Sequence, residues 1–205
     1  MDGGAIFSLK IKMLGLKLPT DRRWAVLARE NLPELLTDHA YCEQKAASNA
    51  ISMIVKYPHL EELVKVMAQI AQEEMAHFEQ VHQEILKRGW ELGRERKDSY
   101  VNELYKFIEK GKGPEMLLID RLLFAAMIEA RSCERFRLLS EEAPEESLRN
   151  FYYDLMVSEA QHYTTFLNLA RTYSGTVDVK ARWQEWLAYE AQVIARYGNS
   201  ERMHG

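Results

Sequence analysis

The sequence predicts an all-α fold, four long helices in two hairpins with additional short helices. Three observations carry that expectation. Apolar residues recur at helical spacing over long stretches, as in Leu60, Leu63, Val64, Met67 and Ala71, and again in Leu148, Phe151 and Leu155. Only 10 Gly and 5 Pro interrupt 205 residues, and no stretch alternates with the period of a strand. Pro58 and Pro144, in Lys-Tyr-Pro-His and Glu-Ala-Pro-Glu, mark two points where one helix stops and another begins.

Taken in order, residues 1–19 read as an irregular arm ending at Pro19. Thr20 or Asp21 caps a short helix through Glu30, with Trp24 and Leu27 packing inward. The first long helix runs from about Pro33 to Lys56, its core face Leu36, His39 or Ala40, Glu43, Ala47, Ala50 and Ile54. The second runs from Leu60 to Arg88 and stops at Gly89. Residues 89–97 form a charged connection, not a linker between domains. Asp98 or Ser99 then caps a helix to about Lys110, packed through Tyr100, Leu104, Phe107 and Ile108. Gly111-Lys112-Gly113-Pro114 breaks it. The third long helix covers Glu115 to Ser140, with Leu118, Leu122, Ala125, Glu129, Cys133 and Phe136 on one stripe. The fourth covers Glu145 to Tyr173 and stops at Ser174-Gly175. A last amphipathic helix, Val179 to Tyr197, carries Trp183, Trp186, Leu187 and Ile194, and 198–205 is a polar tail. A single domain of 205 residues is expected, large enough for a substantial core.

Composition excludes several classes. A hydrophobic fraction of 47% and a charged fraction of 28% belong to an ordinary globular chain. No signal peptide or membrane span is visible, since the run Ala5-Ile6-Phe7 is short and Lys10 and Lys12 follow it. Cys42 and Cys133 fall in core helices and read as reduced thiols, so a cytoplasmic protein is expected. A net charge of −4 gives no global attraction to a polyanion, so any nucleic-acid contact needs a local patch.

The apolar stripes are interrupted by chemistry. Glu74-Met-Ala-His77 lies on the second long helix and Glu159-Ala-Gln-His162 on the fourth. Residues three apart share a helix face, so each pair aims a carboxylate and an imidazole at one point. A bare carboxylate on a core face costs several kcal/mol and has to be paired, protonated or bound to metal. With 24 Glu and 6 His in the chain, fewer than one Glu-x-x-His is expected by chance, and four occur. Glu201/His204 lies in the polar tail. Glu79/His82 lies about 140° around the helix from the first pair and faces away.

An internal repeat supplies the remaining candidates. Glu43 stands 15 residues before Pro58 and Glu74 stands 16 after it; Glu129 and Glu159 each stand 15 from Pro144. Helices folded back at these prolines put Glu43 level with Glu74 and Glu129 level with Glu159. Glu134 is the rival on the third helix, but it sits about 7 Å off level at 1.5 Å per residue. One Glu from each of two helices and Glu-x-x-His from each of the other two is the ligand set of ferritin-like dimetal carboxylate proteins. Glu43, Glu74, His77, Glu129, Glu159 and His162 are therefore the expected ligands of two metal ions, and their oxygen and imidazole donors suit iron or manganese, with zinc also compatible by ligand type. Glu73 and Ser158 stand as candidate partners of the His ligands. Tyr163 reads as an interface tyrosine in preference to an electron relay.

The words around these residues are more specific. Asp38-His39-Ala40-Tyr41-Cys42-Glu43-Gln44-Lys45-Ala46-Ala47, Glu74-Met-Ala-His77-Phe78, Ile128-Glu129-Ala-Arg-Ser-Cys133-Glu134-Arg135-Phe136 and Ser158-Glu159-Ala-Gln-His162-Tyr163 resemble the tRNA 2-methylthio-N6-isopentenyladenosine hydroxylase family over roughly residues 20–197. The resemblance implies a non-haem di-iron monooxygenase that uses O2 and external electrons, from a donor protein or reductant, to hydroxylate the isopentenyl group of a modified adenosine in tRNA. The alternative is a rubrerythrin-like or ferritin-like role in peroxide reduction or iron handling, though this chain has no Cys-x-x-Cys. A metal-stabilised bundle without turnover is a third reading. For tRNA, segment 87–97 carries Lys87, Arg88, Arg94, Arg96 and Lys97 against Glu91 and Glu95, a local +3, with Trp90 able to stack on a base. A solvated loop is the plain alternative, and the stretch from Lys10 to Arg23 is the next basic candidate.

Overall fold

The structure, a computed structural model, describes residues 14–197 and 202–203. Seven helices and no strand occur among the described residues: α1 (Arg23–Glu30), α2 (Leu32–Lys56), α3 (Glu61–Lys87), α4 (Ser99–Tyr105), α5 (Pro114–Glu142), α6 (Glu146–Tyr173) and α7 (Val179–Tyr197). They fall into two compact units. One comprises residues 28–97 with 202–203; the other comprises residues 14–27 and 98–197.

In the first unit α2 and α3 fold back on each other through Tyr57–Leu60, where the amide of Leu60 bonds the Tyr57 carbonyl at 3.0 Å. Pro33 opens α2, where its missing N–H costs nothing, and Glu34 and Lys56 complement the two ends of the helix dipole. On α3 a buried seam runs through Leu63, Met67, Ile70, Glu74, His77, Val81 and Glu84, alternating four and three residues apart, with Ile85 buried beside its end. That seam faces the Ala40, Ala47 and Ala50 side of α2, where small side chains let the helices approach. Gly89 ends α3 in a Schellman arrangement: its φ is 72°, its amide bonds the Leu86 carbonyl at 2.9 Å, and the Trp90 amide bonds that of Ile85 at 3.2 Å. The following segment lies on α2. The Gly93 amide donates to Thr37 Oγ1 at 3.3 Å and its carbonyl accepts the Tyr41 hydroxyl at 3.1 Å. A Cβ at Gly93 would stand 3.1 Å from Thr37 Cγ2, a tight contact that a larger residue could keep only if Thr37 shifted by a few tenths of an ångström.

In the second unit α5 and α6 form the other hairpin, joined at Ala143–Glu145, with α4 and α7 packed on α5. A seam of α6, Leu148, Tyr152, Leu155, Glu159, His162, Phe166 and Leu169, repeats the α3 spacing with a constant offset of 85, and Met156, Leu167 and Ala170 are buried beside it. The buried face of α5 repeats α2 with an offset of 86: Leu122, Ala126, Glu129, Cys133, Phe136 and Leu139 answer Leu36, Ala40, Glu43, Ala47, Ala50 and Met53. The duplication read from the two prolines is thus present in the packing.

Helix α5 is buried on nearly every side, which brings charges into the interior. Asp120 accepts from Arg182 Nε (2.8 Å) and from the Trp186 indole (3.0 Å). Arg131 donates to Glu190 at 2.6 Å and to Glu134, while Glu134 also accepts the Thr20 hydroxyl at 2.7 Å. Tyr100 donates to Glu190 at 3.0 Å, and the Arg135 guanidinium lies 4.5 Å over the Trp24 ring.

Four expectations are corrected. Leu27 is 38% exposed, and Ala25 and Ala28 instead join Trp24 as the buried side of α1. Met53, not Ile54, ends the α2 core face. Helix α4 ends at Tyr105 and not near Lys110, because three successive amides, from Lys106 to Ile108, bond carbonyls three residues back and tighten the chain. The tail is not wholly polar: Met203 is fully buried and its amide donates to Asp38 Oδ2 at 2.8 Å. The arm is non-helical over residues 14–19; the rest of it, and Glu201/His204, lie outside the described residues.

Arg131→Ala leaves Glu190 and Glu134 buried without their shared cation. It is expected to cost about 3–5 kcal/mol in urea denaturation, the range for removing one partner of a buried pair.

Candidate metal centre

Each unit carries two carboxylates and an imidazole at one level of its hairpin. In the first, Glu43 comes from α2, and Glu74 and His77 come from one turn of α3. His77 Nδ1 lies 3.5 Å from Glu74 Oε2 and 3.8 Å from Glu43 Oε2. In the second, Glu129 comes from α5, and Glu159 and His162 from one turn of α6, with His162 Nδ1 3.8 Å from Glu159 Oε2. Within each set the three ligand atoms lie within 4.8 Å of one another. All six residues are buried, none more than 8% exposed.

This placement follows from the seam. Positions 74, 77, 159 and 162 fall where the four-three spacing points inward, so the folding of the apolar neighbours carries the carboxylates in with them. Two carboxylates and a neutral imidazole give each set a charge of −2, the complement of one divalent ion. Oxygen and nitrogen donors without sulfur fit iron or manganese. The residues present therefore fit the metal expected.

Around the first set, His39 is fully buried on α2 with Nε2 2.6 Å from Glu43 Oε1. The sequence reading placed His39 on the core face without assigning it to Glu43, although the i, i+4 spacing of the two was there to be seen. Glu134 is held by Thr20 and Arg131. Of the other candidates, Glu73 is exposed and Ser158 half-buried; Glu79 is exposed, and His82 stacks on Phe78 with ring centroids 6.2 Å apart. The Tyr163 hydroxyl donates to the Leu14 carbonyl at 3.3 Å, an interface role. Neither Cys42 nor Cys133 is in a disulfide. Burial, with Glu159 nearby, pushes the Cys133 thiol up to about 12, so it stays protonated and donates to the Met156 carbonyl at 3.4 Å.

The basic segment divides in two. Lys87 and Arg88 are drawn onto Glu84 at 2.6 and 2.7 Å. Burial raises the Glu84 pKa, but these two cations outweigh it and the net shift is downward. Trp90 is half-buried at the helix end, Arg94 and Lys97 are exposed, and Arg96 reaches the Glu34 carbonyl at 3.5 Å. Glu95 is engaged by Lys45 at 2.9 Å, and Arg202 donates to the Lys97 carbonyl.

Comparison with known proteins gives a consistent picture. A family model described as tRNA-(MS2IO6A)-hydroxylase (MiaE) matches residues 7–205. A tRNA 2-(methylsulfanyl)-N(6)-isopentenyladenosine(37) hydroxylase of Pseudomonas putida is 36% identical, covering 92% of this chain and 91% of its own. A protein of the same name from Salmonella typhimurium is 30% identical over 92% of this chain and 87% of its own. Among solved structures, Protein 43 with aldehyde deformylating oxygenase activity from Synechococcus superposes with a TM-score of 0.85 at 34% identity, covering 93% of this chain and 95% of that one. The fold class is ferritin-like and all-α, as expected from the helix pattern.

Metal analysis of variants tests the ligand assignment. Glu129→Ala is expected to lower bound iron by about half, since one set of donors loses a carboxylate. Glu134→Ala should keep the iron and lower stability instead. The opposite result would shift the register of α5.

Proposed function

The chain belongs to the tRNA-(MS2IO6A)-hydroxylase family, and we infer from this that it is an O2-dependent non-haem di-iron monooxygenase acting on the isopentenyl group of 2-methylthio-N6-isopentenyladenosine 37 in tRNA. The observation that carries the reading is a family match over nearly the whole chain, joined to two buried Glu-Glu-His sets of the right donor chemistry. We assign one iron to Glu43, Glu74 and His77 and one to Glu129, Glu159 and His162.

The balance of the reaction sets what else is required. A C–H bond becomes C–OH, the second oxygen atom leaves as water, and two electrons and two protons enter from outside. A reductant or electron-donor protein is therefore a partner. Bound iron supplies the reduction of O2 and the oxidising equivalent that attacks the C–H bond. The chain's own part is to fix the donor atoms, hold a charge of −4 that two divalent ions cancel, and keep bulk water from the site through its burial. A rubrerythrin-like or ferritin-like role would use the same ligands, but the family match favours the hydroxylase. No helix among the described residues is long and apolar enough to cross a membrane. A tRNA substrate makes the cytoplasm the expected location.

For tRNA contact we assign Lys87, Arg88, Trp90, Arg94, Arg96 and Lys97. Within that segment the exposed Arg94 and Lys97 are the more available for phosphate, while Lys87 and Arg88 share Glu84.

Two measurements test this function. Mass spectrometry of nucleosides from tRNA incubated with iron-loaded protein, reductant and O2 should show the isopentenyl nucleoside gaining one oxygen atom, with loss of about two orders of magnitude in Glu74→Ala. Unchanged nucleosides alongside rapid peroxide reduction would support the rubrerythrin-like reading. The combined variant Arg94→Glu, Arg96→Glu, Lys97→Glu should weaken tRNA binding and reduce the slope of log K against log salt by about two to three, leaving iron content unchanged. Unaltered affinity would move the contact elsewhere, to the stretch from Lys10 to Arg23.

A further inference from the structure

The two sets of ligands are not equivalent, and the difference lies in what stands one helical turn before the first glutamate of each. Four residues before Glu43 is His39; four residues before Glu129 is Ala125. Both positions are buried, and in the duplicated packing of α2 and α5 they correspond. The side chain of Ala125 has no N–H to give.

His39 is 0% exposed, and its Nε2 lies 2.6 Å from Glu43 Oε1. A carboxylate that holds a divalent ion is ionised and can only accept, so the proton of this bond belongs to Nε2. A charge-assisted N–H bond on Oε1 restrains rotation of the carboxylate and leaves Oε2, the oxygen 3.8 Å from His77 Nδ1, as the one presented with the imidazole. The turn of α2 that carries His39 is itself anchored by its flanking residues. Thr37 accepts the Gly93 amide, Asp38 accepts the Met203 amide at 2.8 Å, and Tyr41 donates to the Gly93 carbonyl at 3.1 Å.

We propose that His39 is a positioning residue for Glu43, turning one carboxylate oxygen toward the metal and making the iron of the Glu43 set distinct from that of the Glu129 set. The proposal rests on the two-iron reading above. Hydrogen-bond partners of metal ligands set ligand orientation, and their loss typically weakens metal affinity by 10–100-fold. Here the effect falls on one iron of the two.

The test is anaerobic titration of the metal-free protein with 57Fe(II), followed by Mössbauer spectroscopy, in wild type, His39→Leu and His39→Gln. Wild type should bind two irons per chain and give two distinguishable doublets of similar area. His39→Leu should weaken one iron by roughly tenfold or more and alter one doublet, with the other unchanged. His39→Gln, whose amide can still donate across one turn, should recover most of the affinity. If His39→Leu does not fold by far-UV circular dichroism, His39→Asn, too short to reach Glu43, replaces it. Wild-type affinity and an unchanged spectrum in the leucine variant would overturn the proposal. Complete loss of one iron in both leucine and glutamine variants would also overturn it, by making His39 a ligand. A single doublet in wild type would remove the asymmetry, and fewer than two irons in wild type would fail the two-iron reading first.

Discussion

Carboxylates carried into an apolar helix seam are the constraint on which the rest of this structure depends. Glu74 and Glu159 occupy positions that the four-three spacing reserves for the core, and both are essentially inaccessible to solvent. Burying an ionised carboxylate costs several kcal/mol unless a counter-charge comes with it. Neighbouring imidazoles and second carboxylates at the same level turn that cost into an affinity for divalent metal. On the di-iron reading proposed above, stability and chemistry are linked, because an ion held there would also relieve the folded core.

The same chain handles its other buried charges differently. Asp120, Glu134 and Glu190 each have an arginine at hydrogen-bonding distance, Arg182 for the first and Arg131 for the other two. Those groups are closed ion pairs that fix α5 against α7 and the segment around Thr20. In the metal sets the neighbours are carboxylates and imidazoles, donors of the same kind within 4.8 Å. The contrast between matched and like-charged clusters separates the structural network from the candidate metal centre more sharply than burial does.

Much of this was legible in the sequence, for a physical reason: helical period and proline breaks are local, and an internal duplication gave a second constraint. The offsets of 85 and 86 residues between the buried faces are what the positions of Glu43, Glu74, Glu129 and Glu159 around the two prolines imply. Height along the helix puts Glu129, and not Glu134, level with Glu159, and the structure places Glu129 in one buried group with Glu159 and His162. What was not legible depended on partners distant in sequence. Thr20 reaches Glu134, and Met203 folds back on Asp38. The early end of α4 at Tyr105 turned on a change from i−4 to i−3 bonding that apolar spacing does not report. Lys87 and Arg88 also pair with Glu84, three and four residues before them on the helix.

The origin of the inserted oxygen bears most directly on the functional conclusion. A single turnover of the reduced, iron-loaded protein with tRNA under 18O2 in ordinary water should place one labelled oxygen atom in the product nucleoside. The same turnover under ordinary O2 in labelled water should place none. Product bearing oxygen from water, or formed equally well without iron, would contradict the account.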